Sequence, residues 1–196
     1  NTGESAGMTS AAKELTSRDE IVLTLFDLFR RSGYDAVSIA DISDATGLGK
    51  SSLYYHFPGG KPDMAEAVAD FARGHMRASV FDQLKGDRPL SKKLAAMSAF
   101  VADMYEGGGA PCLISSMMIS PNASPKALET VRGIITEWIE ALAAALRREG
   151  VAEPKRRATD AIIAIQGALV VARAAGDKKI FETAVKSALA ALRRRG

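Results

Sequence analysis

Between Ser38 and Gly60 the chain has room for two short helices and for nothing longer. Ser38, with Asp41 three residues on, has the pattern of a capping box, in which hydroxyl and carboxylate satisfy free backbone N–H groups reciprocally. Gly47 ends that helix, because glycine enters the left-handed conformation of a closing turn without penalty. Leu48 and Gly49 make the turn, a second helix spans about Lys50 to Phe57, and Pro58-Gly59-Gly60 stops it. Two short helices across a tight glycine-containing turn form a helix-turn-helix, whose second member can lie in the major groove of DNA. Ile39 and Ile42 face inward on the first helix, Leu48 packs under the turn, and Leu53 and Phe57 anchor the second. This leaves Lys50, Ser51, Ser52, Tyr54, Tyr55 and His56 to divide between groove and backbone. Many helical domains contain short paired helices, so spacing alone leaves the function open.

The remainder of the chain is helical as well. Ile21, Val22, Leu25, Phe26, Leu28 and Phe29 recur at helical spacing and predict a first helix from about Ser17 to Arg31. Ser17 is its N-cap, Glu20 completes a capping box, and Gly33 closes it. Pro62 sits in the first turn of a fourth helix, where proline is tolerated, and that helix reaches about Gln83. After Gly86 and Pro89 the helices become alanine-rich. A fifth runs over 90–106 and ends at Gly107-Gly108-Gly109, and a short sixth covers 112–119. A seventh starts at the Ser124 cap and Pro125 and ends at Gly150; an eighth runs from Glu153-Pro154 to Gly176. Asp177 caps a ninth that reaches about Leu192. No segment alternates as a strand would. The fold class is therefore all-α, with about nine helices: a three-helix, helix-turn-helix domain over 15–62 and a second helical domain over 63–196, with helix four bridging them. Residues 1–14 open small and polar, without the apolar core of a signal peptide, and read as a disordered arm or an expression remnant.

Composition and charge exclude other classes. A chain of 196 residues, 47% apolar and 25% charged, can bury a sizeable core in one or two domains. A formal charge of +3 does not by itself demand a nucleic-acid partner, but its distribution is uneven. No acidic residue occurs from Ala45 to Pro62, where Lys50, His56 and Lys61 stand. Lys155-Arg156-Arg157 and Arg193-Arg194-Arg195 read as solvated helix ends. The lone Cys112 cannot form an internal disulfide and suits a reducing cytoplasm. No run approaches the roughly 20 apolar residues that cross a membrane. The two histidines, His56 and His75, have no metal-ligand spacing, and Gly107-Gly108-Gly109 follows no strand and lacks the lysine of a phosphate loop. His75 is expected on a solvated or inter-domain face. No cofactor or metal is expected, and an enzyme is disfavoured. A helical interaction module without DNA binding is a second alternative, against which the acid-free stretch argues mildly.

The residues at 33–61 go further than the spacing. Gly33-Tyr34, Ser38-Ile39, Ile42, Gly47-Leu48, Leu53-Tyr54-Tyr55-His56-Phe57 and Lys61 closely resemble the N-terminal signature of the TetR/AcrR family, over about 18–66. The ending Phe57-Pro58-Gly59-Gly60-Lys61, one residue longer than the commonest form, resembles the LmrA/YxaF-type branch. Gly49, Ser51 and Thr46 depart from the family's usual serine, glycine and alanine, and they fall at the reading edge, which leaves the operator sequence open. The resemblance implies a dimeric DNA-binding regulator, a repressor in the family's usual mode, released from a palindromic operator by a small hydrophobic or amphipathic effector. It assigns Lys50 and Ser52 to base edges, and Tyr54, His56 and Lys61 to phosphates. Ser38 would cap its helix and meet the DNA backbone, and Ser51 and Tyr55 complete the expected contact set.

The resemblance also divides the C-terminal half. The family's last two helices form a four-helix bundle across the dimer axis, which here implicates Ile162, Ile163, Val170, Ile180, Phe181, Val185, Leu189 and Leu192. Helix eight is apolar around most of its circumference, so burial within one monomer is the competing reading. Helices five to eight should enclose an effector cavity, with candidates Met97, Phe100, Val101, Met104, Tyr105, Cys112, Met117, Met118, Trp138, Leu142, Ile165, Gln166 and Leu169. Methionine fills irregular spaces and Gln166 is a polar group in an apolar helix, although any single apolar residue here is also an ordinary core residue. The glycines at 107–109 and Pro121 are candidate hinges.

Overall fold

The computed structural model describes residues 17–193, and among these the structure is helical throughout, without strands. The arm at 1–14, the side chain of Ser17 with its expected cap, and Arg194 and Arg195 lie outside the described residues. Nine helices follow in order: α1 (Ser17–Ser32), α2 (Ile39–Thr46), α3 (Lys50–His56), α4 (Lys61–Met76), α5 (Leu90–Met104), α6 (Leu113–Met118), α7 (Pro125–Arg148), α8 (Pro154–Ala175) and α9 (Lys178–Ala191).

The caps form where the sequence placed them. The Asp41 N–H donates to Ser38 Oγ at 3.1 Å while the Ser38 N–H donates to Asp41 Oδ2 at 2.7 Å, and Gly47 sits at φ 69°. Ser124 caps α7 by accepting from the Ala127 N–H, and Asp177 caps α9 by accepting from the Lys179 N–H. One boundary differs. The fourth helix does not run unbroken to residue 83: after Met76 it widens into a π turn (Arg77–Phe81) and ends in one α turn (Asp82–Lys85). Val80, Phe81 and Leu84 are all buried in this continuation. A hydrophobic period cannot reveal one extra residue in one turn, and Gly74, three residues ahead, is compatible with an unbroken helix as well.

Leu25, Phe29, Ile42, Leu53 and Phe57 form the centre of the N-terminal three-helix unit, with Tyr34 edge-on to Phe29 at 5.3 Å. Met64, Ala65 and Val68 of α4 continue that core without a gap into the C-terminal helices. Helix α4 lies along α7, and Glu137 of α7 accepts from Arg73 Nε and Arg77 Nε, each at 2.7 Å. The Arg77 hydrogen bond, supported by Arg73, holds the Glu137 carboxyl below the ordinary glutamate range against the opposing effect of burial. A depressed carboxylate contributes stability that is present above the unfolded value and fades as pH falls through the folded one. Glu137→Gln should therefore flatten the acid limb of the stability curve below about pH 4.5. Urea midpoints at neutral pH and near pH 4 check this; an unchanged difference between the two in the variant would refute it.

Helix α8 corrects two expectations. By length and composition alone it is long and apolar enough to cross a membrane, although it holds no unbroken apolar run of that length. The apolar surplus is explained by two faces. Ala161, Ile162, Ile165, Leu169 and Ala172 are buried against α7 and α9, while Ile163, Val170 and Val171 point outward. The second correction concerns pairing. Ile162, Phe181, Val185, Leu189 and Leu192, expected at a dimer interface, are packed inside the monomer, and Ile180 is half-buried. Ile163 (63% exposed) and Val170 (66% exposed) remain available. The basic cluster at 155–157 ties helix ends together: Lys155 pairs with Glu140, Arg156 with Glu153 and Asp160, and the Arg157 guanidinium donates to the Ala191 carbonyl.

Candidate nucleic-acid interface and effector cavity

Helix α3 is held from one side only. Leu53 and Phe57 are fully buried, and Arg18 of α1 lies over the Phe57 ring at 5.0 Å. Residues one helical step away must then face out. Lys50, Ser51 and Ser52 are exposed, and Tyr55 is 82% exposed, the largest aromatic surface in the N-terminal unit. His56 is half-buried, with its ring edge-on to Tyr55 at 5.2 Å. Tyr54 is also exposed, and its ring lies against the loop that follows the helix. There Gly60 has φ 71°, which favours glycine, and a Cβ at that position would come within 3.2 Å of Tyr54 Cε1, a tight contact. The Gly59 N–H donates to Asp63 Oδ2, which fixes the Pro58-Gly59-Gly60 loop onto the first turn of α4.

Two of the expected phosphate contacts are engaged within the domain. Ser38 is exposed, but its hydroxyl both accepts from and donates to Asp41. Lys61 turns inward: its ammonium lies 4.3 Å from the Tyr34 ring centroid and 3.5 Å from the Asp35 carbonyl. Burial lowers its pKa, with Asp35 and Asp41 opposing the shift. Asp35 in turn accepts from Asn122 Nδ2 at 2.9 Å, so the α1–α2 loop is tied to the segment between α6 and α7.

A cavity of about 40 Å³ lies at the junction of the two domains. Of the effector-cavity candidates, Met104, Tyr105, Cys112 and Trp138 line it. The sequence reading missed Phe26 and Arg30 of α1, Ala72, His75 and Met76 of α4, and Leu113, Ile114 and Ile134. Their apolar members had been absorbed into the stripe that packs each helix, and nothing in a helical period says which end of a stripe borders a void. The structure places the other candidates elsewhere. Met97, Val101, Met117, Leu142, Ile165 and Leu169 are buried core residues outside the lining, with Trp138 Nε1 donating to Met97 Sδ at 3.4 Å. Phe100 is half-buried beside His75, and Met118 is at the surface, because short α6 buries only Leu113 and Met117. Gln166 also lies outside the lining and acts behind it, donating to the Tyr105 hydroxyl at 3.0 Å, which itself donates to Cys112 Sγ. Burial pushes the Tyr105 phenol well up. His75 is exposed, as expected, but its ring stacks parallel to Phe71 and borders the cavity. A space of this size holds a water or two, whereas drug-sized ligands need several hundred Å³. Flexible Met76 and Met104 are the side chains that can yield.

Arg30 joins the cavity to the reading domain. Its guanidinium donates to Asp27 Oδ1 at 2.8 Å, to the Met104 carbonyl at 2.9 Å and to Glu106 Oε1 at 3.0 Å. Arg31 shares both carboxylates, pairing with Asp27 and Glu106. Glu106 holds a left-handed backbone, φ 51°, which residues with a side chain adopt rarely. Next to it, Gly108 packs against Phe181 of α9. The 105–109 loop thus touches α1, the cavity and α9 together. Among the described residues no group of His, Cys, Asp and Glu side chains is placed to hold a metal.

Comparison with known proteins bears on both halves. The model of bacterial regulatory proteins of the tetR family matches residues 21–68, and that of the LmrA/YxaF-like transcriptional regulator C-terminal domain matches 92–187. The HTH-type transcriptional regulator LmrA of Bacillus subtilis is 25% identical over 154 residues, covering 75% of this chain and 80% of that one. The HTH-type transcriptional repressor BdcR of Escherichia coli is 34% identical over 89 residues, 44% of this chain and 45% of its own length. A TetR transcriptional regulator from Legionella pneumophila has the same fold, with a TM-score of 0.79 at 22% identity, covering 90% of this chain and 97% of that one.

Proposed function

The chain belongs to the TetR family of bacterial regulatory proteins, in its LmrA/YxaF-like branch, and from that premise we infer that it is a homodimeric repressor which grips a palindromic operator with α3 and is released by a small hydrophobic or amphipathic effector. It is a helix-turn-helix transcriptional regulator, a family of DNA-binding proteins and not of enzymes. One observation carries the finer reading: α3 buries Leu53 and Phe57 and turns Lys50, Ser51, Ser52 and Tyr55 outward as a free, acid-poor edge. A helix presented in this way suits a major groove, where lysine reaches guanine and serine accepts either partner. Tyr54 and His56 flank it and would meet the phosphates. Lys61 reaches a phosphate only by leaving Tyr34 and Asp35.

Two copies are needed because one short helix makes few contacts, and half-sites lie a helical turn or a multiple apart. The outward apolar face of α8 supplies the pairing surface. The repressor reading is supported by the name of BdcR, and a cytoplasmic site of action by the bacterial regulators that the chain resembles. Effector entry would spread the cavity between α1, α4 and α7 and change the separation of the two α3 helices. A coupling of ~1–3 kcal/mol is enough for such a switch.

The test is selection of bound genomic fragments, then anisotropy titration of the recovered operator. The logarithm of the affinity should fall steeply and linearly with log salt, because phosphate contacts release counterions. Screening small apolar compounds should then find one that raises the operator Kd. Failure to enrich any fragment, or salt-independent binding, would remove the DNA-binding reading; compounds that occupy the protein without moving the operator Kd would remove the release mechanism alone.

A further inference from the structure

We propose that the junction cavity takes a flat organic anion, with its apolar body against Phe26, Met104 and Trp138 and its charged head in the place that Glu106 holds on Arg30. The inference rests on the cavity being the effector site and names the ligand class that this site prefers. Arg30 is the one lysine or arginine among the lining residues, and its side chain is only 11% exposed. The Tyr105 hydroxyl there joins Cys112 and Gln166, and the exposed His75 ring stacks on Phe71 at the cavity edge. An apolar wall with a single recessed guanidinium selects against cations, whose charge would be desolvated beside a like charge.

Of the three partners of Arg30, Glu106 is the one that can leave. Asp27 is held one turn back on the same helix, and Met104 contributes a backbone carbonyl, whereas Glu106 comes from a separate loop and is tied to Arg30 and Arg31 by its side chain alone. The Glu106 side chain is 43% exposed and hangs from a left-handed backbone. When a ligand carboxylate takes its place, Arg30 keeps its charge balance and Glu106 swings into water. A neutral ligand of the same shape gains no such exchange. The consequence reaches the reading domain, since Arg30 and Arg31 belong to α1 and Glu106 to the loop that precedes α6. Anion binding unties them.

Trp138 is the only tryptophan in the sequence and lines the cavity, so its fluorescence reports occupancy without any DNA present. Cinnamate and cinnamamide, matched in shape and different in charge, are the probes. Cinnamate should bind about tenfold or more tightly than cinnamamide, the scale of one hydrogen bond to a charged group. Glu106→Gln should tighten cinnamate binding several-fold and leave cinnamamide unchanged, and Arg30→Met should erase the preference. Should Arg30→Met fail to fold, the gain in Glu106→Gln still decides, because loss of structure cannot produce it. Equal binding of the two probes, no cinnamate binding at millimolar concentration, or no gain in Glu106→Gln overturns the proposal. The preference stands or falls apart from operator binding, so a failure of the regulator reading is told apart from a failure of this one.

Discussion

Replacing Ile163 and Val170 together by aspartate should yield a folded monomer whose operator affinity is lower by roughly a hundred- to ten-thousand-fold, the range over which joining two binding modules multiplies affinity. Both side chains are about two-thirds exposed in the monomer and, with Val171, stand on one face of α8 at helical spacing. Isolated large aliphatic residues in water are common, but three on one face of one helix are a patch that calls for a partner. Across a two-fold interface the same patch of each copy faces the other, so the aspartates of the two copies add charge repulsion to the loss of burial. Because neither side chain contributes to the monomer core, helicity and thermal unfolding of the monomer should be retained. Sedimentation gives the mass, circular dichroism the fold, and anisotropy the operator affinity. An Ile162→Asp protein is the contrast: that residue points into the monomer, and its replacement should abolish folding instead. A double variant that remains dimeric, or a monomer that binds as tightly as the parent, would dismiss α8 as the pairing surface.

The contrast between Ile162 and Ile163 also shows where sequence reasoning stopped. Helix existence and the caps at Ser38, Ser124 and Asp177 were legible because they depend on local chemistry, a hydroxyl or carboxylate beside a free N–H. The outward edge of α3 was legible for a similar reason: Leu53 and Phe57 fix the inner face, and the period of the helix does the rest. On α8 the pattern is apolar around most of the circumference, so nothing local distinguishes the face toward α9 from the face toward a second copy. The cavity was least legible. Met97 and Met104 lie two turns apart on α5 with the same chemistry, yet one is pinned by Trp138 in the core and the other lines the void. The decisive neighbours, Phe26, Arg30 and His75, come from α1 and α4, remote in sequence from the helices expected to enclose the pocket. Arg30 in particular reads as an ordinary last-turn arginine until Glu106 arrives from 76 residues away.

Lys50→Ala and Tyr55→Ala should each weaken operator binding by about 1–3 kcal/mol per site, which is some 5- to 150-fold, without lowering stability. Lys50 is the first residue of α3, exposed, and pairs with no carboxylate among the ion pairs of the described residues; Tyr55 lies almost wholly in solvent. Removing either leaves the Leu53 and Phe57 anchors untouched. The two roles open to Lys50 give different signatures. If it reads a base edge, the alanine variant relaxes discrimination at one operator position in each half-site and changes the salt dependence little. If it holds a phosphate, affinity falls evenly across sequences and the log–log salt slope shrinks by about one for each copy of the helix. Leu53→Ala separates recognition from folding: it empties a buried site, should cost about 2–5 kcal/mol of stability, and loses operator binding only because the domain opens. Should Lys50→Ala and Tyr55→Ala both keep full operator affinity while Leu53→Ala abolishes it, the outer edge of α3 is not the reading surface, and the contacts must be sought along the α1–α2 loop instead.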